Sequence, residues 1–469
     1  MSAGCEIDTR VHSIHVTRSR TFSRSETLVR SSCMSKRKRA AATEFSLPAL
    51  LAPLPLHSFL AEHCERAPVL ARGPAGRFAG LEHALRDAPA AARAVPAVEL
   101  DEFDSAAARE EATRAGAGGV PVHGQDVRLV RTSRSDSAEE TFFVPLGTEL
   151  DAETVHAASA AGCTVALRAV NLRSTTAANV AAAVSAELGL PCGANLYVTP
   201  PHAQGLAVHF DDHDVVVLQL AGSKAWRVYP AECGARLPRL FSARTAPRCD
   251  GAAPTEHMLS AGDVLYIPRG FPHAAATREG ASTHLTLAIE CWPAFEWEAA
   301  LHVAVRLASG CAAGWAAAEV LLHAAVRQLA DTELSLRAAC LGPALVGDEG
   351  AAIYGALVLH LSSMSLRDAR EAALRFLSDE ADAGFSWLAH VAPWSDDAAS
   401  WRSRADGFYD ALLAATSTVA GEAYDMLRSK AGARPWGSVR VTLSEVRSRY
   451  LDAHAGFGRE MRALHESAV

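Results

Sequence analysis

The stretch HFDDHD, residues 209–214, puts five polar side chains, most of them ionisable, at the mouth of the apolar run Val215 to Leu220. In an extended chain residues i and i+2 point to the same face. His209 and Asp211 therefore project together, and Phe210 turns the other way. One imidazole and one carboxylate on a common face are two legs of a 2-His-1-carboxylate triad, the usual site of non-haem Fe(II) oxygenases. Such a site leaves positions open for a cosubstrate and O₂. Its third ligand must come from a distant strand. The leading candidate is His273, at the end of GDVLYIPRGFPH, residues 262–273, in a segment placed to be an antiparallel neighbour. His257, in an irregular connection, and His284, within a strand, are the alternatives. Asp212, His213 and Asp214 read as a rim, either facing a substrate or forming a solvated turn.

These groups need a rigid frame. From Asn195 the apolar period is strand-like. NLYVTP, GLAVHF, VVVLQL and AWRVYP read as four short strands, with Ala221, Gly222 and Ser223 as a hairpin turn before Lys224. An irregular connection, Ala231 to Ser260, follows. Gly262 and Asp263 read as a turn, Val264 to Ile267 as a strand and Thr283 to Glu290 as another. Many short strands in hairpin order predict a double-sheet jelly roll, the cupin architecture. Upstream, LHSFLAEHCERAPVLARG reads as a short helix and an extended segment, and VRLVRT and TFFVPL as strands. Ser105 to Gly119 reads as a loop. Val180, Val184 and Leu188 recur at four-residue spacing, which predicts a helix over 175–190 stopped by Gly189 and Pro191. Beyond Pro293 the pattern is helical, with a possible strand pair near WGSVRVTL, residues 436–443.

The bulk composition bounds the function. The chain has 469 residues, of which 49% are hydrophobic, enough for two or three domains with a substantial core. The formal net charge of −8 speaks against direct nucleic-acid binding by the whole body. Ten cysteines are scattered without a C-x-x-C pair, a pattern of free thiols rather than disulfides or a zinc ribbon. No apolar run approaches a membrane-spanning length. Residues 1–44 read as a disordered basic tail, rich in Ser and Arg. Its Lys36–Arg39 cluster is of the nuclear-import kind, and the stretch before it is similar to a mitochondrial or plastid transit peptide. A solvated tail is the third reading, and Met34 is an alternative start.

The segments NLYVTPPHAQGLAVHFDDHDVVVLQLAGSKAWRVYP, GDVLYIPRGFPHAAAT and HLTLAI together resemble the JmjC ribosomal oxygenase family. Within it they are most similar to the nucleolar NO66-like branch, described as bifunctional histidyl-hydroxylase and lysine-specific demethylase. The resemblance is dense from Gly162 to Glu290, looser around Cys64, where the family usually has an aromatic, and only architectural after Pro293. It implies an α+β fold: a double-stranded β-helix over 45–293 (core 162–290), a helical dimerisation region over 294–345 and a winged-helix-like domain over 350–469. It also implies Fe(II), 2-oxoglutarate and O₂. Lys224 matches the family's carboxylate-binding lysine, Tyr197 and Thr286 match hydroxyl partners, and Asn195 an active-site amide.

The reading that follows is a 2-oxoglutarate-dependent dioxygenase, a histidyl-hydroxylase acting on a ribosomal protein in the nucleus or nucleolus. A histone lysine demethylase acting on chromatin shares the same iron ligands and is the alternative. A non-catalytic cupin-like scaffold is the reading from outside enzymology. Apolar stripes between Phe295 and Arg337 predict a homodimer.

Overall fold

The computed structural model describes residues 45–85, 127–134, 139–143, 152–238, 251–291, 295–309, 329–363 (except 347) and 435–468, with a few isolated positions between them. The expectations for residues 1–44 and for the loop at 105–119 lie outside the described residues. No helix among them is long and apolar enough to cross a membrane.

Among the described residues, ten strands pair antiparallel throughout. They are β1 (Val69–Ala71), β2 (Val127–Arg134), β3 (Glu139–Phe143), β4 (Thr164–Leu167), β5 (Cys192–Thr199), β6 (Asp214–Val228), β7 (Thr255–Ser260), β8 (Val264–Ile267), β9 (His273–Ala276) and β10 (Ser282–Ile289). The main order is β1-β8-β6-β10-β5-β4-β2-β3, and β7 and β9 pair with β6 outside that path. With its flanking helices this is an α+β arrangement built on an antiparallel jelly-roll frame.

β6 organises the frame and corrects the expected hairpin. VVVLQL and AWRVYP are one continuous strand, with no turn at Ala221–Ser223. Its first half pairs with β8 and β10, and its second half, from Ser223, pairs with β7 and β9. The first half is enclosed on both faces, so its near-unbroken apolar run is fully buried from Asp214 to Leu220. The second half alternates partly open and buried positions. The strand passes between the two pairings at Gly222, whose φ is +66°. A Cβ there would meet the Ala281 carbonyl oxygen at 1.9 Å. Gly222→Ala is therefore expected to destabilise the protein by on the order of 3 kcal/mol, from left-handed strain plus the clash. Thermal denaturation should show a melting temperature lower by several degrees; an unchanged melt would refute the account of this bend.

Three further expectations are revised. GLAVHF is not a strand: only His209 forms a bridge, with His273. Around it the backbone bonds elsewhere, Ala207 N–H donating to Thr141 Oγ1 and Phe210 N–H to Ser242 Oγ. The connection 231–260 ends in strand β7, so His257 lies on a strand, opposite Trp226. WGSVRVTL is the start of the helix Trp436–Ala468. Val439, Leu443 and Val446 lie at helical spacing and are buried together, which overrides the local β propensity.

The helix Thr175–Leu188 forms as its pattern predicts. Ser174 caps its start, accepting from Ala177 N–H, and Gly189 closes it in the left-handed region. Val180, Val184 and Leu188 join the main core, with Leu196, Leu218 and Leu285 from the sheet. A second core begins at Trp297 and is built from the helices Trp297–Ser309, Asp348–Ser363 and Trp436–Ala468. The apolar stripe of Trp297–Ser309 is buried there within one chain: Leu301, Val303 and Val305 are almost fully enclosed.

Candidate metal and cosubstrate site

His209 and His273 are brought face to face by backbone bonds. His273 N–H donates to His209 C=O at 2.7 Å, and His209 N–H to His273 C=O at 3.1 Å. Each imidazole is then oriented in the same way. His209 Nδ1 lies 2.8 Å from Ala207 C=O and His273 Nδ1 2.9 Å from Phe271 C=O. A carbonyl only accepts, so both Nδ1 atoms carry the proton and both Nε2 atoms offer a lone pair. Asp211 faces them, with carboxylate oxygens 3.8 Å from His209 Nε2 and 3.5 Å from His273 Nε2. One ligand atom from each residue lies within 4.8 Å of the others.

The electrostatics suit a cation. Burial pushes His273 down to about 4, reinforced by His209 and opposed by Asp211, so its ring is neutral at pH 7. Burial alone would raise the Asp211 carboxyl, but the imidazoles of His213, His209 and His273 outweigh it and hold it below its usual value. The Nε2 atoms of His209 and His273 and the Asp211 carboxylate form the donor set of an Fe(II) site with open positions. No bond along the chain dictated this meeting; His273 is the residue that β9 places opposite His209. His257 and His284 do not join them.

A cavity of about 400 Å³ opens from these ligands. Asn195, Tyr197, Lys224, Trp226, His284 and Thr286 all line it. Asn195 Oδ1 accepts from Ala169 N–H, which fixes its amide. Tyr197 stacks on His284, with ring centroids 4.9 Å apart. Thr286 sits opposite Asn195 in the β10–β5 pairing. Lys224 is 4% exposed, and its Nζ donates to Thr199 Oγ1 at 2.8 Å. Burial lowers its pKa to about 7. Trp226 Nε1 and His284 Nδ1 are buried without a hydrogen-bond partner. A buried cation beside hydroxyls and an unpartnered N–H is a donor set matched to a carboxylate. The residues thus fit a dicarboxylate reaching from the metal to Lys224.

Three lining or contact residues were not anticipated as cosubstrate contacts: Thr199, Trp226 and, in that role, His284. Thr199 had a legible signal, because Asn195, Tyr197 and Thr199 recur with period two on one strand. Trp226 is likewise two residues from Lys224. At the rim, His213 Nδ1 lies 3.0 Å from Asp212 Oδ1. Burial would lower the His213 pKa, but Glu290, the Asp212 bond and Asp211 raise it to about 10. Asp214 is not a rim residue: it is buried and tied to Tyr266 and Arg269.

Residues 169–296 match the family model described as JmjC domain. Over 241 residues the chain is 35% identical to Ribosomal oxygenase 1 of Gallus gallus, covering 51% of this chain and 35% of that protein. Over 99 residues it is 44% identical to the bifunctional lysine-specific demethylase and histidyl-hydroxylase NO66 of Drosophila melanogaster, covering 21% and 15%. The chain thus spans about a third or less of the length of these relatives. YcfD, a ribosomal oxygenase from Escherichia coli solved with cobalt and 2-oxoglutarate, aligns at 18% identity and a TM-score of 0.31, over 56% of this chain and 59% of that one. Over residues 169–296 the chain matches the JmjC domain model, and across that stretch it resembles the ribosomal oxygenases.

Proposed function

We propose that this chain is an Fe(II)- and 2-oxoglutarate-dependent protein oxygenase, a histidyl-hydroxylase acting on a ribosomal protein. The observation that carries the reading is the convergence of His209 Nε2, the Asp211 carboxylate and His273 Nε2 in the same cavity as buried Lys224. His209, Asp211 and His273 hold the metal, while Lys224 and Thr199 receive the far carboxylate of the cosubstrate. Bound iron and 2-oxoglutarate supply the oxidant that inserts one atom of O₂ into a C–H bond, with succinate and CO₂ as co-products. The apolar strand interior around Val215, Ala275 and Ala288 limits water at the reacting centre.

The rim favours a polar ring as target. Asp212, His213 and Glu290 line one side of the cavity, and Arg128 and Arg168 line it too. They provide acceptors and donors that can orient an imidazole. Among the described residues, the Phe, Tyr or Trp rings that line the cavity are Tyr197 and Trp226, and Phe210 is not among them. The described residues therefore do not build an aromatic cage for a methylated ammonium. The names of the relatives support both a ribosomal oxygenase and a histidyl-hydroxylase or demethylase reading. A nuclear or nucleolar location, a homodimer through residues 295–337 and a winged-helix-like C-terminal domain belong to the same proposal, supported by the resemblance alone; light scattering tests the dimer.

Mass spectrometry of ribosomal-protein and methylated-histone peptides tests the reaction. The expected product gains one oxygen atom on histidine. Loss of methyl groups with formaldehyde release, and no gain of oxygen, would assign demethylation instead.

A further inference from the structure

Away from the cavity, four charged side chains meet in the interior. Arg269 is completely buried, with its Nε donating to Glu65 Oε1 at 2.9 Å and NH1 to Glu296 Oε1 at 2.7 Å. NH2 donates to the Arg337 carbonyl. The backbone N–H of Arg269 donates to Asp214 Oδ1 at 2.9 Å. Asp214 Oδ2 accepts from Tyr266 Oη at 2.7 Å, and Tyr266 Oη in turn accepts from Glu65 N–H at 2.8 Å. Glu65 Oε2 accepts from Ala339 N–H at 2.6 Å. Glu65, Asp214 and Cys291 offer ligand atoms within 4.8 Å of one another. The guanidinium is the cation among these groups, so they are not a second metal site. Burial, then Glu65, push the Asp214 carboxyl up to about 6, as expected where three carboxylates share one cation.

The position of this cluster along the chain is informative. Arg269 lies four residues before His273, and Asp214 three after Asp211. The two ligand-bearing segments are joined by a ladder: His209 with His273 in both directions, Gly270 N–H to Asp211 C=O at 2.9 Å, then Arg269 N–H to Asp214. Gly270 makes the turn with φ +83°, where a Cβ would meet the Ala235 carbonyl oxygen at 1.7 Å. The cluster closes the far end of that ladder. Its other members come from the N-terminal segment (Glu65) and from the start of the helical region (Glu296, Arg337, Ala339).

Taking the metal reading of His209, Asp211 and His273 as given, we propose that Arg269 is a positioning residue for the metal site. Its guanidinium, held by Glu65 and Glu296, sets the register of segments 209–214 and 269–273. Metal-ligand geometry is thereby coupled to docking of the N-terminal segment and the helical region. An Arg fork reaches three acceptors in one plane, which a lysine cannot do.

Cobalt(II) titration of the full chain, read by its visible ligand-field band, tests this. Wild type should show a one-to-one band that His209→Ala abolishes. If it does not, the metal reading falls and the proposal with it. Arg269→Lys and Glu65→Gln should each weaken cobalt affinity by about ten- to a hundredfold, the usual effect of disturbing groups that orient ligands, and shift the band. The melting temperature is followed in parallel. A merely structural role would lower the melt and leave affinity and band at wild-type values, and that result would overturn the proposal. If Arg269→Lys fails to fold, Glu65→Gln decides alone, because it keeps the guanidinium and its Glu296 and carbonyl partners.

Discussion

Replacing His209, Asp211 or His273 by alanine is expected to reduce 2-oxoglutarate turnover at least about 100-fold, since losing a ligand exceeds the effect of losing a group behind one. The side chains of His209 and Asp211 are 23% and 22% exposed, at the wall of a cavity rather than in a packed core. Their removal leaves no large void, so stability should change by about 1 kcal/mol or less. Asp211→Ala separates the two effects most cleanly. It removes the carboxylate that faces both imidazoles, and metal binding should fail while the melt is nearly unchanged. Succinate formation and metal titration are the measurements. Full turnover in His273→Ala would exclude it as the third ligand. The two alternatives are placed differently: His257 lies on β7, and His284 is stacked on Tyr197.

The Lys224→Ala variant should need on the order of a hundredfold more 2-oxoglutarate. Removing the charged partner of a buried carboxylate costs about 3 kcal/mol, which is about two powers of ten in affinity. Metal affinity should be nearly unchanged, because Lys224 touches Thr199 and none of the ligands. Equal 2-oxoglutarate affinity in the variant would place the anchor elsewhere. The same residue predicts a pH dependence. Burial sets its pKa near 7 in the free protein, against 10.5 for an ordinary lysine. A bound carboxylate favours the ammonium, so above pH 7 binding must take up a proton, and affinity should fall as pH rises. Calorimetry in buffers of different ionisation enthalpy reads that uptake directly; identical heats would refute it. For folding the sign is opposite. The unfolded chain holds this proton more tightly, so the contribution of Lys224 to stability is least favourable below pH 7 and improves between about 7 and 10.5.

The sequence by itself was sufficient for local matters. H-x-D at period two, four-residue spacing in Thr175–Leu188 and short apolar runs are set by neighbours along the chain, and the structure shows the helix where they place it. Where a local pattern had two readings, packing chose. VRVTL has the β-branched residues of a strand, yet Val439 and Leu443 are buried in a helical core that only distant segments supply. Ala221–Ser223 has the composition of a turn, yet Gly222 lets one strand serve two pairings. The choice depends on β10 and β7, which lie some 30 to 60 residues further on. The site follows the same division. Residue types and spacing along the chain mark His209, Asp211 and, through resemblance, Lys224. That His273 faces them, that Thr199 is the partner of Lys224 and that Asp214 turns inward to Arg269 are decided by antiparallel register and by burial. A carboxylate at a strand mouth goes to solvent or to the interior according to where its counter-charge arrives, and here that charge lies 55 residues away.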